Sequence, residues 1–256
     1  MKKHNSYYQI VFQRTNLIKL YLLSFFLGIS SWPRIILEVF LRRGMGQRYM
    51  SLMTCITLFV LMFFGTNVPH YSTYSGWSFP SVADSFGTHP SEAIFALVFL
   101  AMGIMRYRET MSEPGVFEFA KFSHYSGDIL PFYYNIKLFG IEPGRRLIST
   151  VYEPLTGIAV GAILNLFDSP VGPLLIVCSI IYSLSYFGAH YLGDQYLMDR
   201  IDEIMCSEDL GKTLAEGMRP EDGRGVEFFG TVPPDKQFRR VLADSMIENE
   251  PATDIV

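Results

Sequence analysis

The stretch Pro173-Leu-Leu-Ile-Val-Cys-Ser-Ile-Ile-Tyr-Ser-Leu-Ser-Tyr-Phe-Gly-Ala-His-Tyr-Leu-Gly193 decides the class of this protein. It holds no Asp, Glu, Lys or Arg. A bilayer's hydrocarbon core is about 30 Å thick and a helix rises about 1.5 Å per residue, so roughly 20 apolar residues cross it. Just before it lies Asp168-Ser-Pro-Val-Gly172, a tight turn with two breakers. Residues 147–167, ahead of the turn, carry Glu153 as their one charge. The two runs read as a helical hairpin. Residues 49–67 carry no charge and residues 85–105 carry Glu92 alone, so four spans are expected. The fold class is an all-α integral membrane protein.

The composition agrees. Of 256 residues 18% are charged, against about 25% in an average soluble protein. Mean hydropathy is +0.22. Disordered, collagen-like and disulfide-scaffold classes are excluded. Cys55, Cys178 and Cys206 are odd in number and offer no zinc spacing. The net charge of −4 divides unevenly: residues 1–193 carry +4 and residues 194–256 carry −8. No basic face suited to direct nucleic-acid binding stands out. The expected organisation is an N-terminal interfacial or re-entrant segment (1–48), a four-helix membrane domain (49–193) and a mostly irregular acidic tail (194–256).

Lys and Arg near span ends set orientation. Residues 49–105 contain neither, whereas Arg42, Arg43 and Arg48 precede that stretch and Arg106 and Arg108 follow it. The 106–146 loop holds six basic residues and the 168–172 turn none. Both termini and the 106–146 loop are therefore expected in the cytoplasm, at a bacterial inner membrane. The uncharged run 20–33 is short for a span: a bent element broken at Trp32-Pro33 is expected, with a fifth span and an outward N-terminus as the alternative. Beyond it, Ile36, Val39 and Phe40 share one helical face and Arg34, Glu38 and Arg42 another, which predicts an amphipathic helix on the inner leaflet.

Several groups are candidates for chemistry. His124 and Asp128, and His190 and Asp194, have four-residue spacings that place imidazole and carboxylate on one face of a helix. Jointly they are weak candidates for a metal site or for proton transfer. Glu153 lies inside a span, where a carboxylate needs a partner; Arg145, Arg146 or Arg200 is expected to supply it. Gly157 and Gly161 form a GxxxG that allows close helix packing, with Ser179 and Ser183 of the last span a candidate partner face. In the tail, Phe228, Phe229, Phe238, Val241 and Leu242 are apolar islands suited to docking a partner. Arg42-Arg-Gly-Met-Gly-Gln-Arg-Tyr49 and His124-Tyr-Ser-Gly-Asp128 are distinctive strings without an attached function. No nucleotide or cofactor fingerprint is present, and no cofactor is expected. The partners expected are the lipid bilayer, other membrane or cytoplasmic subunits and a possible second copy. The function expected is a non-catalytic membrane subunit of an envelope assembly such as a secretion or conjugative-transfer system. The alternatives are a membrane-embedded metal or acid–base enzyme, and a small channel or transporter using Glu153.

Overall fold

A computed structural model describes residues 7–12, 16–65, 70–72, 76–78, 90–110, 122–137 and 143–247. The chain is mostly helical. Helix α1 is Leu17–Leu41, followed by strand β1, Arg42–Arg43. Helix α2 is Leu52–Gly65, strands β2 and β3 are His70–Ser72 and Gly76–Ser78, and α3 is Pro90–Thr110. Strand β4 is Asp128–Ile129 and α4 is the single turn Pro131–Tyr134. Helix α5 runs over Arg145–Leu166, α6 over Val171–Glu216 and α7 over Lys236–Ile247. Strands β2 and β3 pair antiparallel with Tyr71 opposite Trp77.

By length and composition, α1, α3, α5 and α6 can each cross a membrane. Three of these overlap expected spans. The fourth does not: the expected span at 49–67 is the 14-residue helix α2, only about 21 Å long. Its place among the long apolar helices is taken by α1.

The expected break at Trp32-Pro33 is absent: α1 continues through Pro33. Proline inside a helix removes one hydrogen bond and costs roughly 3 kcal/mol. Packing offsets this here, since Ile35, Ile36, Leu37 and Val39, in the turns that follow, are all buried. The polar face is not left to headgroups either. Glu38 and Arg42 are buried in protein, which corrects the expectation of a solvated face.

The chain forms two compact units. The larger spans 22–190. Its core joins α1, α2, α3 and α6 through Val39, Met50, Cys55, Phe99, Cys178 and Tyr182. A Cβ on Gly103 of α3 would sit 3.2 Å from the Cys55 sulfur, so α2 and α3 approach closely there. The α5–α6 hairpin is closer still. A Cβ on Gly157 would meet the Ser179 hydroxyl and the Leu37 side chain, and one on Gly161 would lie 2.8 Å from the Gly172 carbonyl oxygen. Helix α1 meets α6 obliquely. Leu23 and Leu27 lie beside Gly188, Leu37 reaches the Gly157–Ser179 contact, and Arg42 bonds Tyr186. Residues 23–42 extend about 28 Å, whereas residues 179–188 rise about 14 Å.

The smaller unit combines residues 1–21 with 191–256. A π-helical turn, Tyr8–Phe12, packs on the last turns of α6. Tyr8 is buried with Cys206 and Leu210, and its hydroxyl donates to Asp199 at 3.2 Å. Burial, reinforced by Asp199, pushes the Tyr8 hydroxyl up to about 12. Phe228 stacks on Tyr7, and the Phe229 N–H donates to the Tyr7 hydroxyl at 2.9 Å. Arg224 closes the following turn onto α6. Its backbone N–H donates to Asp209 at 2.9 Å, and its guanidinium reaches Asp209 and Glu208.

Candidate functional site

Among the described residues, buried polar groups concentrate where α1, α5 and α6 meet. It begins with a break in helical regularity. Helix α5 opens through a π-helical turn, Ile148–Tyr152, just before Glu153-Pro154. Pro154 has no N–H to offer the Thr150 carbonyl. Ser183 of α6 donates its hydroxyl to that carbonyl at 2.6 Å instead. The π turn re-aims the helix so that Glu153 is fully buried.

Glu153 is held by Arg42, not by Arg145, Arg146 or Arg200 as expected. The Arg42 Nε donates to one carboxylate oxygen at 3.0 Å and its terminal nitrogen to the other at 2.5 Å. Tyr182 donates to the same carboxylate at 2.6 Å. The second terminal nitrogen of Arg42 donates to Ser126 at 2.9 Å and to the Tyr186 hydroxyl. Tyr186 donates onward to Glu38 at 2.7 Å. Glu38 also accepts from Tyr49 at 2.5 Å and from Arg34 at 3.2 Å. Two cations lie over the Tyr186 ring, Arg34 4.1 Å and Arg42 4.6 Å from its centroid. Two arginines and two glutamates thus balance within one network.

The two distinctive strings close this network together. Arg42 pairs with Ile129 and Arg43 with Asp128 across β1 and β4. The Gly46 N–H donates to the Tyr125 carbonyl at 2.8 Å, and Arg48 donates to Ser123 at 2.9 Å. A Cβ on Gly46 would sit 2.4 Å from the Ser123 carbonyl oxygen, so only glycine allows this approach. Gly127 has a φ of +95° and lies against Arg42 and Arg43, a conformation costly for other residues. Arg106 of α3 donates to the Val39 carbonyl at 3.0 Å, satisfying an end of α1. The 122–130 segment is therefore packed, with Ile129 and Tyr133 buried against Ile148 and Tyr152.

The other candidates lie elsewhere. His124 is exposed and rests against Phe122. Asp128 is exposed and accepts from Tyr125 at 2.6 Å. His190 sits 3.3 Å from the Ser149 hydroxyl, and Asp194 is exposed. Among the described residues, no three His, Cys, Asp or Glu side chains converge as a metal group would require. Of the tail residues, Phe228 is half-buried on Tyr7, while Phe229, Phe238 and Val241 are exposed; Leu242 is half-buried. Sequence reasoning missed Arg34, Glu38, Arg42, Tyr49, Tyr182 and Tyr186 as one cluster. A signal existed in Tyr182 and Tyr186: two hydroxyls four residues apart in a charge-free span need polar partners.

No protein-family model, curated protein or solved structure shows a significant match to the chain.

Proposed function

We propose that the chain is a non-catalytic, multi-pass membrane subunit of a larger envelope assembly, of the kind represented by bacterial secretion and conjugative DNA-transfer machines. The observation that carries this reading is the closure of the buried network. Each carboxylate oxygen of Glu38 and Glu153 accepts a hydrogen bond from a neighbour inside it, and Arg42 uses all three guanidinium nitrogens. Such a network orders a fold; a substrate or proton site keeps a group available for its ligand. Exposed Phe229, Phe238 and Val241 on the polar tail add a reason to expect a protein partner.

In this reading the membrane is a bacterial inner membrane, with both termini in the cytoplasm, as the Lys/Arg distribution favours. Helix α1 stays in the inner half of the bilayer. Along α6 its contacts run from Tyr191, beside Lys19, to the Gly157–Ser179 contact that Leu37 reaches, and its C-terminal end carries Arg42 and Arg43 into the 122–130 segment.

Truncation after Gly217 tests the subunit reading. The expected outcome is a stable membrane protein that no longer co-purifies with its partner, while His190→Ala and Asp194→Ala leave function intact. Silent truncation together with a null His190→Ala would replace it with the acid–base enzyme reading.

A further inference from the structure

Helix α5 has little length to spare. Its 22 residues, Arg145–Leu166, rise about 33 Å, and a hydrocarbon core is about 30 Å thick. A crossing α5 therefore enters the core within its first turn, next to Arg145. That residue is exposed, and its guanidinium bonds neutral groups, the Tyr125 hydroxyl at 3.2 Å and the Gly127 carbonyl at 3.3 Å. A cation with neutral partners at the end of a span suits the level of the lipid phosphates.

From that level the chain runs down α5. Ile129 and Tyr133 are buried against Ile148 and Tyr152, three and seven residues past Arg145, or about 5 and 10 Å along the axis. The Tyr133 hydroxyl lies 2.9 Å from the Thr156 hydroxyl, one turn deeper. Ile136 packs against the same cluster, and by Arg145 the chain has returned to the interface. Irregular backbone at this depth has to be satisfied by protein. Strand β4 pairs with β1, the Tyr133 N–H donates to the Leu130 carbonyl at 3.1 Å, and the Asn135 N–H donates to the Phe132 carbonyl at 3.2 Å. Pro131 has no N–H to satisfy.

Two rings of this segment face away from the protein. Phe132 is 64% and Tyr134 46% exposed, on either side of Tyr133 in α4. At the same levels α5 exposes Val151 and Leu155. Residue type selects the occupant. Membrane helices pack on one another through Gly, Ala and Ser, whereas α4 offers proline and bulky rings of the kind that gather at the lipid interface. We infer that residues 125–136 form a re-entrant segment beside α5, and that Phe132 and Tyr134 contact phospholipid acyl chains in the leaflet at the Arg145 end. This goes beyond the subunit reading and rests on α5 crossing the bilayer.

Fluorescence quenching tests it. The full chain, with Trp32→Phe and Trp77→Phe, is reconstituted alone in nanodiscs and carries one new tryptophan, Phe132→Trp, Tyr134→Trp or Leu155→Trp. The last reports whether α5 crosses. Lipids brominated near the head of the acyl chain should dim Phe132→Trp and Tyr134→Trp about twofold or more. Lipids brominated near the chain end should act most on Leu155→Trp. Aqueous acrylamide should quench all three far less than it quenches the same chains unfolded in guanidinium. Strong acrylamide quenching at 132 and 134 would put the segment in water, and protection from both quenchers would put it under protein. Either result, with Leu155→Trp still dimmed by lipid, overturns the inference and leaves the crossing in place. A Leu155→Trp that no brominated lipid dims removes the crossing and the inference with it.

Discussion

Arg42 and Glu153, 111 residues apart in the chain, form a two-point ion pair at 3.0 and 2.5 Å with both side chains buried. Desolvating two charges costs several kcal/mol each, and only well-aligned bonds to the remaining lone pairs and N–H protons offset it. Tyr182, Tyr186 and Ser126 supply those bonds. The pair ties the end of α1 to the first turns of α5, and therefore fixes how the N-terminal helix meets the hairpin.

Close packing of the hairpin predicts unequal glycine sensitivities. Gly157→Ala would collide with the Ser179 hydroxyl, and Gly161→Ala with the backbone carbonyl of Gly172. A hydroxyl can be removed and a carbonyl cannot. Gly157→Ala should destabilise by about 1–3 kcal/mol, and adding Ser179→Ala should restore most of it. Gly161→Ala should have no such rescue. Thermal unfolding in mild detergent reads both.

The smaller unit predicts an acid-sensitive tail. Burial alone would raise the Asp209 carboxyl, but the Arg224 N–H and guanidinium outweigh it and hold it below the usual carboxylate range. A depressed carboxylate adds stability above its unfolded value and loses it as pH falls through the folded one. Protection of the Arg224 amide from hydrogen exchange should thus be constant near neutrality and decline below about pH 4. Asp209→Asn should lower it at neutral pH and flatten the dependence.

Topology predicts that both ends of α1 face the same side. A thiol reagent that cannot cross the membrane should label Ser72→Cys in intact cells. It should leave Asp235→Cys, an N-terminal cysteine tag and Arg48→Cys unlabelled until the cells are opened. Labelling of the N-terminal tag from outside would mean that α1 crosses.

The hairpin was legible because a single charge, Glu153, interrupts its apolar runs and two breakers mark its turn. Gly157 meets Ser179 in it, whereas Gly161 faces Gly172 and Ile176 and Ser183 bonds the Thr150 carbonyl. Glu153 stood out for the same reason, as a lone charge in an apolar run. Its partner did not, because Arg42 looked like an ordinary basic flank of a span, and long-range pairing leaves no local periodicity. Pro33 misled for a related reason: its local cost is real, and the burial of Ile35 to Val39 that offsets it is tertiary. Helix α2 differs in length from the expected 49–67 span: among the described residues it runs from Leu52 to Gly65. The strings at 42–49 and 124–128 were visible as unusual. That they close on each other depends on backbone bonds, which composition does not encode.

The most direct test of a structural, non-catalytic network is a double-mutant cycle on Arg42 and Glu153. Arg42→Met or Glu153→Met alone strands a buried charge and should cost roughly 3–5 kcal/mol. Together they remove both charges, so the double variant should lose much less than the sum and should still co-purify with its partner. Unfolding in detergent and recovery of the complex are measured on the same four proteins. A double variant that folds as well as the parent yet abolishes function would contradict the account and make the pair part of a working site.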